Sequence, residues 1–474
     1  MDYDIIKLLG IKDSGIKVLE IKETSLVRTV TIEKELFAHY CPACGFRMYS
    51  KGRETRTVNH PVMQDGLKLT LKIIKRRWQC TNPDCKSIES DEFSFVDRYR
   101  RNTNMSDLLI VNAFKDPCLS AREIARRYSV SDTHAITTFA RYVDMPRRQL
   151  TEIICIDEVH LNISKRYKYA LIIQDFETGE PIDMIPSRRE EITEPYFAKM
   201  PFKERARVKY IISDMYRPYL AYIDKYFPHA VSVIDAFHVL QLINRNFLNY
   251  IRHVIRRLDQ RDREIHEQRE QEFGRRLPFN HSKDYLILKK YNWMLLKNRS
   301  DLKIYPQPRF NKQLARMMNT YDYLDWIYSL DPAFEDLFNL KELYVSFNRK
   351  FAGMPKEARP ALVKIIQTYR NSKYKMFRDI SYTLEEFFEP IINSFILSER
   401  VSKDGRYQSR LSNGPMEALN RIPKDMKRIA RGYTNFEHIR NRFLFSQRKN
   451  AAILATPKTL DEVYLRKVRD HRIE

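Results

Sequence analysis

Five short apolar stretches between residues 151 and 239 constrain this chain more than any other feature, because an aspartate sits in or at the end of each of them. TEIICIDEVHLNI is a short buried-strand signal with Asp157 inside an otherwise apolar run. KYALIIQDFETGEPIDMIPS reads as two strands joined across Glu177-Thr178-Gly179-Glu180, a hairpin. Residues 192–207 read as a helix, and VKYIISDMYRPY then gives an apolar strand ending at Asp214. A helix through 221–226 leads to AVSVIDAFHV, a fifth strand ending near Asp235. The element order is β-β-β-α-β-α-β.

That order is expected for the core of a ribonuclease-H-like fold. A carboxylate inside an apolar strand costs several kcal/mol unless it is paired or bound to a cation. Asp157 and Asp214 both occupy such positions, on strands that could be neighbours. Two carboxylates brought together repel, and divalent cations remove the repulsion; a pair of cations then serves phosphoryl transfer. The plainer reading is helix capping, by Asp214 for the helix near Tyr216 and by Asp235 for the helix after it. A third carboxylate is needed, and position alone does not choose it. The best local candidate is Glu417 in NGPMEALNRIPKDMKRIARGYTNF, where Asn413-Gly414-Pro415 signals a helix start. A solvated first-turn Glu favoured by the helix dipole is the alternative.

Charge supports a polyanionic partner. Among 474 residues, 84 are Lys or Arg and 61 Asp or Glu, a formal net charge of +23. Residues 41–85, 119–148 and 421–449 carry +6, +3 and +7, whereas 151–239 carries −2. Basic segments thus surround a slightly acidic middle, a pattern that suits phosphate binding around a carboxylate site. Hydrophobic residues make up 43% of the chain, enough for a sizeable core and too many for a disordered chain. No apolar run approaches a membrane span and the N-terminus lacks an export signal, so a soluble cytoplasmic protein is expected.

Four of the six cysteines form CPACG and CTNPDC: Cys41, Cys44, Cys80 and Cys85. Paired close spacings of this kind fold thiolates toward one point, as in a closed structural site for one Zn²⁺; disulfides are disfavoured in the cytosol. Cys118 and Cys155 read as small buried hydrophobes. Between the cysteine pairs, LKLTLKIIKRRWQC alternates as a half-exposed strand would, so Lys72, Lys75, Arg76 and Arg77 are expected on a phosphate-facing surface.

Residues 106–142 have helix-turn-helix spacing. Leu108, Leu109, Val111 and Phe114 mark one amphipathic helix; Ser120, with Glu123, starts a second; Ser131 caps a third after the turn at Ser129-Val130. If the third helix enters a major groove, Asp132, Thr133, His134 and Thr137 are the base-reading candidates. A three-helix core without DNA contact is the bland alternative. From 240 to 400 the helical periodicity is strong, with only Gly274 and Gly353, and the stripe Tyr321, Tyr323, Trp326, Tyr328 reads as core.

With these segments in order, the chain resembles the DDE transposases of the ISL3 type of bacterial insertion sequence. The segments are CPACG, REIARRYSVSDTHAI, CIDEVHL, ISDMYRPY, IDAFHV and NGPMEALNRIPKDMKRIARGYTNF, across nearly the whole chain. One departure is Ala418, where a glycine is expected after the Glu. The resemblance implies a multidomain α+β protein: an N-terminal zinc-binding module, a helix-turn-helix, and a ribonuclease-H-like α/β catalytic core interrupted by a large all-α insertion. The corresponding ranges are 1–100, 101–148, 149–240, 241–405 and 406–474, the last holding the end of the core and a basic helix. It implies Asp157, Asp214 and Glu417 as catalytic ligands for two Mg²⁺ or Mn²⁺ ions; Asp235 and His238 match a family motif whose role spacing does not assign, and we read them as support for the site rather than as metal ligands. Lys427, Arg428 and Arg431 of the basic helix would hold phosphates near the acids. The expected partners are double-stranded DNA (terminal inverted repeats and target) and a second copy of the chain on that DNA, with no membrane. The expected activity is cleavage and strand transfer; a non-catalytic DNA-binding regulator and a structure-specific nuclease are the alternatives.

Overall fold

The computed structural model describes residues 2–61, 67–163, 168–402 and 404–463. The chain divides into two compact units. One comprises Met1–Arg147, His160–Lys168 and Arg421–Glu474; the other comprises Arg148–Val159 and Tyr169–Asn420.

The first unit opens with α1 (Asp2–Leu8) and a sheet of β1 (Ile16–Glu23), β2 (Val27–Lys34), β3 (Met48–His60), β4 (Lys68–Cys80) and β5 (Ile88–Ser90). Its order is β1-β2-β4-β3, with β5 on β4, and β2 runs parallel to β4. The alternation of LKLTLKIIKRRWQC does produce a strand, β4, but its phase changes midway. Leu69, Leu71 and Ile73 enter a core shared with Ile6 and Ile32. Further on the buried residues are Arg76, Trp78 and Cys80, and the last two join Cys41 and Met48 in a separate small core. The change of phase turns Arg76 inward, away from the exposed surface expected for it.

Three helices follow: α2 (Asn104–Ala113), α3 (Ala121–Arg127) and α4 (Asp132–Tyr142). Both expected serine caps form, Ser120 Oγ accepting from Glu123 N–H and Ser131 Oγ from His134 N–H, each at 3.1 Å. The turn between α3 and α4 passes through Ser129 at φ 54°, a left-handed conformation that glycine adopts at less cost. Ile110, Val111 and Phe114 face inward on α2, whereas Leu108, expected inside, is exposed. Cys118 also departs from its expected burial: it is exposed in the loop before α3, where its N–H donates to Asp116 Oδ1 (2.8 Å).

The second unit holds β6 (Ile153–His160), β7 (Tyr169–Asp175), β8 (Pro181–Ile185), α5 (Glu190–Ala198), α6 (Phe202–Arg205), β9 (Tyr210–Ser213), α7 (Arg217–Tyr226) and β10 (Val231–Ile234). The strands order as β10-β9-β6-β7-β8. The hairpin turn is as expected, with Gly179 at φ 72°. The helix expected over 192–207 is instead two, interrupted at Met200-Pro201, because proline cannot donate within a helix. One face of the sheet packs Ile154, Ile156, Ile173 and Ile211 against Phe197, Tyr219 and Ile223.

α8 (Ala236–Phe273) spans 38 residues, about 57 Å, and stops at left-handed Gly274. After it come α9 (Lys283–Tyr291), α10 (Trp293–Leu296), β11 (Arg309–Asn311), β12 (Arg316–Met318), α11 (Thr320–Leu330), α12 (Ala333–Lys350), α13 (Pro355–Arg370), α14 (Lys375–Glu386) and α15 (Phe388–Asn393). Their core includes Phe247, Ile251, Phe334, Tyr369 and Phe377. Thr320 and Ile327 are the buried residues of α11; Tyr323, Trp326 and Tyr328 are half-buried against that core and Tyr321 is exposed, so the stripe is only partly core. The span is mainly helical, with two ribbons not foreseen: β11 with β12, and β13 (Leu397–Ser402) with β14 (Gly405–Arg410). α16 (Gly414–Ile429) begins in this unit and continues past the division after Asn420; α17 (Phe436–Gln447) lies in the first unit. Among the described residues, no helix is long and apolar enough to cross a membrane.

Candidate active site and metal centre

Strand register brings the aspartates together. β6 and β9 pair in parallel from Ile153↔Tyr210 to Cys155↔Ile212, and β9 and β10 from Tyr210↔Val231 to Ser213↔Ile234. The same offsets carried to the strand ends set Asp157 beside Asp214 and Asp214 beside Asp235. In open parallel sheets these carboxyl ends border the crevice where ligands bind.

Each aspartate has its own environment. Asp157 is half-buried; burial first, and the neighbouring Asp214 charge second, push its carboxyl up to about 7. Asp157 Oδ2 accepts a hydrogen bond of 2.7 Å from Asn420 Nδ2. Asp214 Oδ1 lies 2.5 Å from His238 Nε2 and accepts from Asn413 Nδ2 at 3.4 Å. Burial opposes charging His238, but the hydrogen bond and charge of Asp214 outweigh it and raise the imidazole pKa. Asp214 does not cap α7, which has no side-chain cap. Asp235 does cap: its Oδ1 accepts from Phe237 N–H (2.8 Å) at the start of α8. Its Oδ2 accepts from Asn413 N–H (2.7 Å), tying the start of α16 to the end of β10.

Asn413, Glu417 and Asn420 recur at the spacing of one helical face. The two asparagines, buried at 4% and 6% exposure, reach Asp214 and Asp157; Glu417 lies between them in the first turn of α16 and is exposed. Sequence reasoning missed the asparagines as site residues, although their spacing about Glu417 was the available signal. The three acids are not gathered as tightly as a loaded metal site: among the described residues, only the cysteines form a group of three or more potential ligands with donor atoms all within 4.8 Å.

The cysteines show the opposite behaviour. Cys41 and Cys44 flank a turn closed by Gly45 N–H to Cys41 O (2.9 Å), and Cys80 and Cys85 flank one in which Asn82 O accepts from Cys85 N–H (3.3 Å). Cys41 Sγ is 3.7 Å from Cys85 Sγ, and Cys44 Sγ 3.4 Å from Cys80 Sγ. Sulfurs about 2.3 Å from one tetrahedral ion stand about 3.8 Å apart, so the set has the dimensions to hold a metal ion. Burial opposes ionising Cys41, yet the amides of Ala43 and Cys44 lower its thiol to about 6; burial raises Cys80 to about 12, assisted by its cysteine neighbours. Ionising all four thiols this close together would take a cation.

The candidate DNA contacts have mixed surroundings. Lys75 is half-buried and Arg77 exposed, but Arg76 is buried, its guanidinium 2.8 Å from Glu33 and donating to Lys34 O (2.6 Å). Asp132 and Thr133 are exposed at the start of α4, and Thr137 is half-buried. His134 turns back toward α2, its Nε2 3.9 Å from buried Asp107, and burial lowers its pKa. Lys427 Nζ donates to the Leu161 carbonyl; Arg428 pairs with Asp425 at 3.0 Å, and Arg431 is exposed at φ 56°.

The chain is similar to the transposase for insertion sequence element IS1001 of Bordetella parapertussis, 24% identical over 269 residues. That match covers 55% of this chain and 59% of the relative, so the chain spans somewhat under two thirds of that protein's length. The ISL3-type DDE family model, described as Transposase, matches residues 154–443, from the strand bearing Asp157 through α16 into α17. That stretch is more than half of the chain and includes every carboxylate of the strand-end site, and the chain belongs to the ISL3-type transposase family.

Proposed function

We propose that the protein is a DDE transposase that binds the terminal inverted repeats of an insertion sequence and catalyses metal-dependent DNA cleavage and strand transfer. The observation that carries this reading is the juxtaposition of Asp157 and Asp214 on adjacent parallel strands, with α16 bonded to both through Asn420 and Asn413. Glu417, between those asparagines, is the third ligand in this reading. The strand order β8-β7-β6-β9-β10 supports a ribonuclease-H-like core. The helix-turn-helix reading of α2–α4 is supported by its two serine caps and the left-handed Ser129.

Asp157, Asp214 and Glu417 offer hard carboxylate oxygens, a donor set suited to two Mg²⁺ or Mn²⁺ ions. Such ions, when bound, stabilise charge on the attacking and leaving oxygens of an in-line displacement at phosphorus. Asn413 and Asn420 orient the two inner carboxylates, and His238 holds Asp214 Oδ1. Asp235 positions rather than ligates, since its oxygens cap α8 and anchor α16. Water attacks first, releasing a 3′-hydroxyl; that hydroxyl then attacks target DNA in the same site. Cys41, Cys44, Cys80 and Cys85 would hold one structural Zn²⁺. Lys75, Arg77, Asp132, Thr133, Thr137, Lys427, Arg428 and Arg431 remain the proposed DNA contacts. Bringing two DNA ends together calls for a homodimer or larger assembly.

The test is supercoiled DNA carrying the element's ends, incubated with Mg²⁺ or Mn²⁺. Wild type is expected to cut and join, and Asp157→Ala to bind the ends without cutting. Binding without cutting by wild type would instead identify a DNA-binding regulator. Cutting that never yields joined products would identify a structure-specific nuclease.

A further inference from the structure

α17 is built into the three-helix region. Arg442, 1% exposed, donates to the Leu119 carbonyl ahead of α3 and to Tyr433 Oη (2.7 Å), and lies 5.1 Å from the Phe114 ring centre. Phe139 of α4 meets Phe445 of α17 edge-on, at 5.8 Å between ring centres. The loop 430–435 entering α17 is therefore held beside α3 and α4, and a cleft of about 750 Å³ lies between them, entirely within the first unit. Arg122 and Arg126, one helical turn apart on α3, line it together with Asp132 of α4; Arg431 and Tyr433 line it from the loop. The three arginines are exposed, and among the described residues none is paired with a carboxylate. Asp132 and Glu437 are the acids of the lining.

A helix seated in a major groove has a sugar-phosphate backbone on each side. A wall facing α4 across a cleft therefore stands where one backbone must pass. We propose that this cleft is a backbone channel for double-stranded DNA, with Arg122 and Arg126 on one side of the strand and Arg431 on the other. The inference rests on the reading of α4 as a DNA-reading helix and adds a second wall, contributed by a segment about 300 residues further along the chain.

Anisotropy of the full-length protein with a labelled random-sequence duplex of about 25 bp, between about 50 and 200 mM salt, tests it. Removing one cation that neutralises a phosphate should reduce the slope of log K against log[salt] by about 0.9. Arg431→Ala should lower the slope by about one such step, and Arg122→Ala/Arg126→Ala/Arg431→Ala by about three. Arg431→Lys should retain it. Arg431→Gly, which suits the left-handed backbone, should behave as Arg431→Ala and separates charge removal from misfolding. A wild-type slope in both Arg431→Ala and Arg431→Gly overturns the channel, even if the α3 variants bind more weakly. No duplex binding by wild type would remove the DNA-reading assignment of α4 itself, a different failure.

Discussion

The cysteine cluster and the strand-end carboxylates are both candidate metal sites made of acidic groups, yet they are built differently. The sulfurs sit on two short turns, each closed by its own backbone hydrogen bonds, and stand 3.4–3.7 Å apart across the turns in the pairs Cys44–Cys80 and Cys41–Cys85. The carboxylates sit on separate elements and are steadied by neutral amides and an imidazole: Asn420 on Asp157, Asn413 and His238 on Asp214. A closed set of soft ligands has no vacancy for a reactant and serves folding, whereas an open set of oxygens retains room for substrate. The difference teaches that the first site should fail structurally when a ligand is removed, and the second chemically.

The largest expected effect follows from that contrast. Metal analysis should find about one equivalent of zinc in wild type and none in Cys80→Ser, whose turns around the site should unfold. Structural zinc contributes about 10 kcal/mol or more to folding of small modules. A Cys80→Ser protein with unchanged melting and a protected β4 in hydrogen exchange would end the structural-site reading.

At the carboxylates, Asp157→Asn should abolish cleavage while making the metal-free protein more stable at pH 8. The sign follows from the raised pKa. Folded Asp157 keeps its proton up to about 7, whereas its ordinary value is 3.8. Between those values the folded state binds more protons than the unfolded one, so stability falls as pH rises through the window. After discounting for partial solvation, the variant should gain about 1–2 kcal/mol over wild type between pH 5 and pH 8. Melting in buffer without added divalent ions reads this directly; parallel curves for the two proteins would contradict the burial and repulsion assigned to Asp157. The same proton must leave when a cation binds, so divalent-ion affinity should weaken below about pH 7.

Asn420→Ala should produce a smaller, purely chemical loss. It removes the 2.7 Å hydrogen bond to Asp157 Oδ2 while leaving all three acids in place. Loss of such a supporting partner typically lowers metal affinity or activity about 10–100-fold. Higher Mn²⁺ should recover part of the rate if the asparagine positions a ligand. An unaltered Mn²⁺ dependence together with reduced melting would make Asn420 merely a packing residue.

Much of this contrast was legible in the chain, for local reasons. CPACG and CTNPDC encode their turns within a few residues, and Asp157 and Asp214 stand out because each interrupts or ends an apolar strand. Roles that depend on distant partners were not legible. The spacing of Asn413 and Asn420 about Glu417 marks them as one face, but nothing local names their partners, 199 and 263 positions away. The inward turn of Arg76 depends on a phase change in β4 and a partner on β2, and His134 depends on Asp107 beneath it. Periodicity sees faces, so it placed strands and helices while misjudging an individual side chain such as Leu108, and residue type alone misjudged Cys118.

The smallest expected effect lies within the cysteine site, where the two turns make their own comparison. The residue after the second cysteine of each pair is left-handed: Gly45 at φ 73° and Lys86 at φ 49°. The same backbone is therefore reached once by a residue that adopts it freely and once by a residue that is strained in it. Lys86→Gly should stabilise the module by up to about 1 kcal/mol with zinc content unchanged. No heavy atom lies within 4 Å of where a Cβ on Gly45 would stand, so Gly45→Lys should destabilise it by about 1 kcal/mol through backbone conformation alone. Melting of both variants with zinc bound gives the answer. Opposite signs mean that backbone conformation limits this site, as a closed structural centre requires; if Lys86→Gly instead loses stability, the Lys86 side chain has a role in the second turn that outweighs its strain.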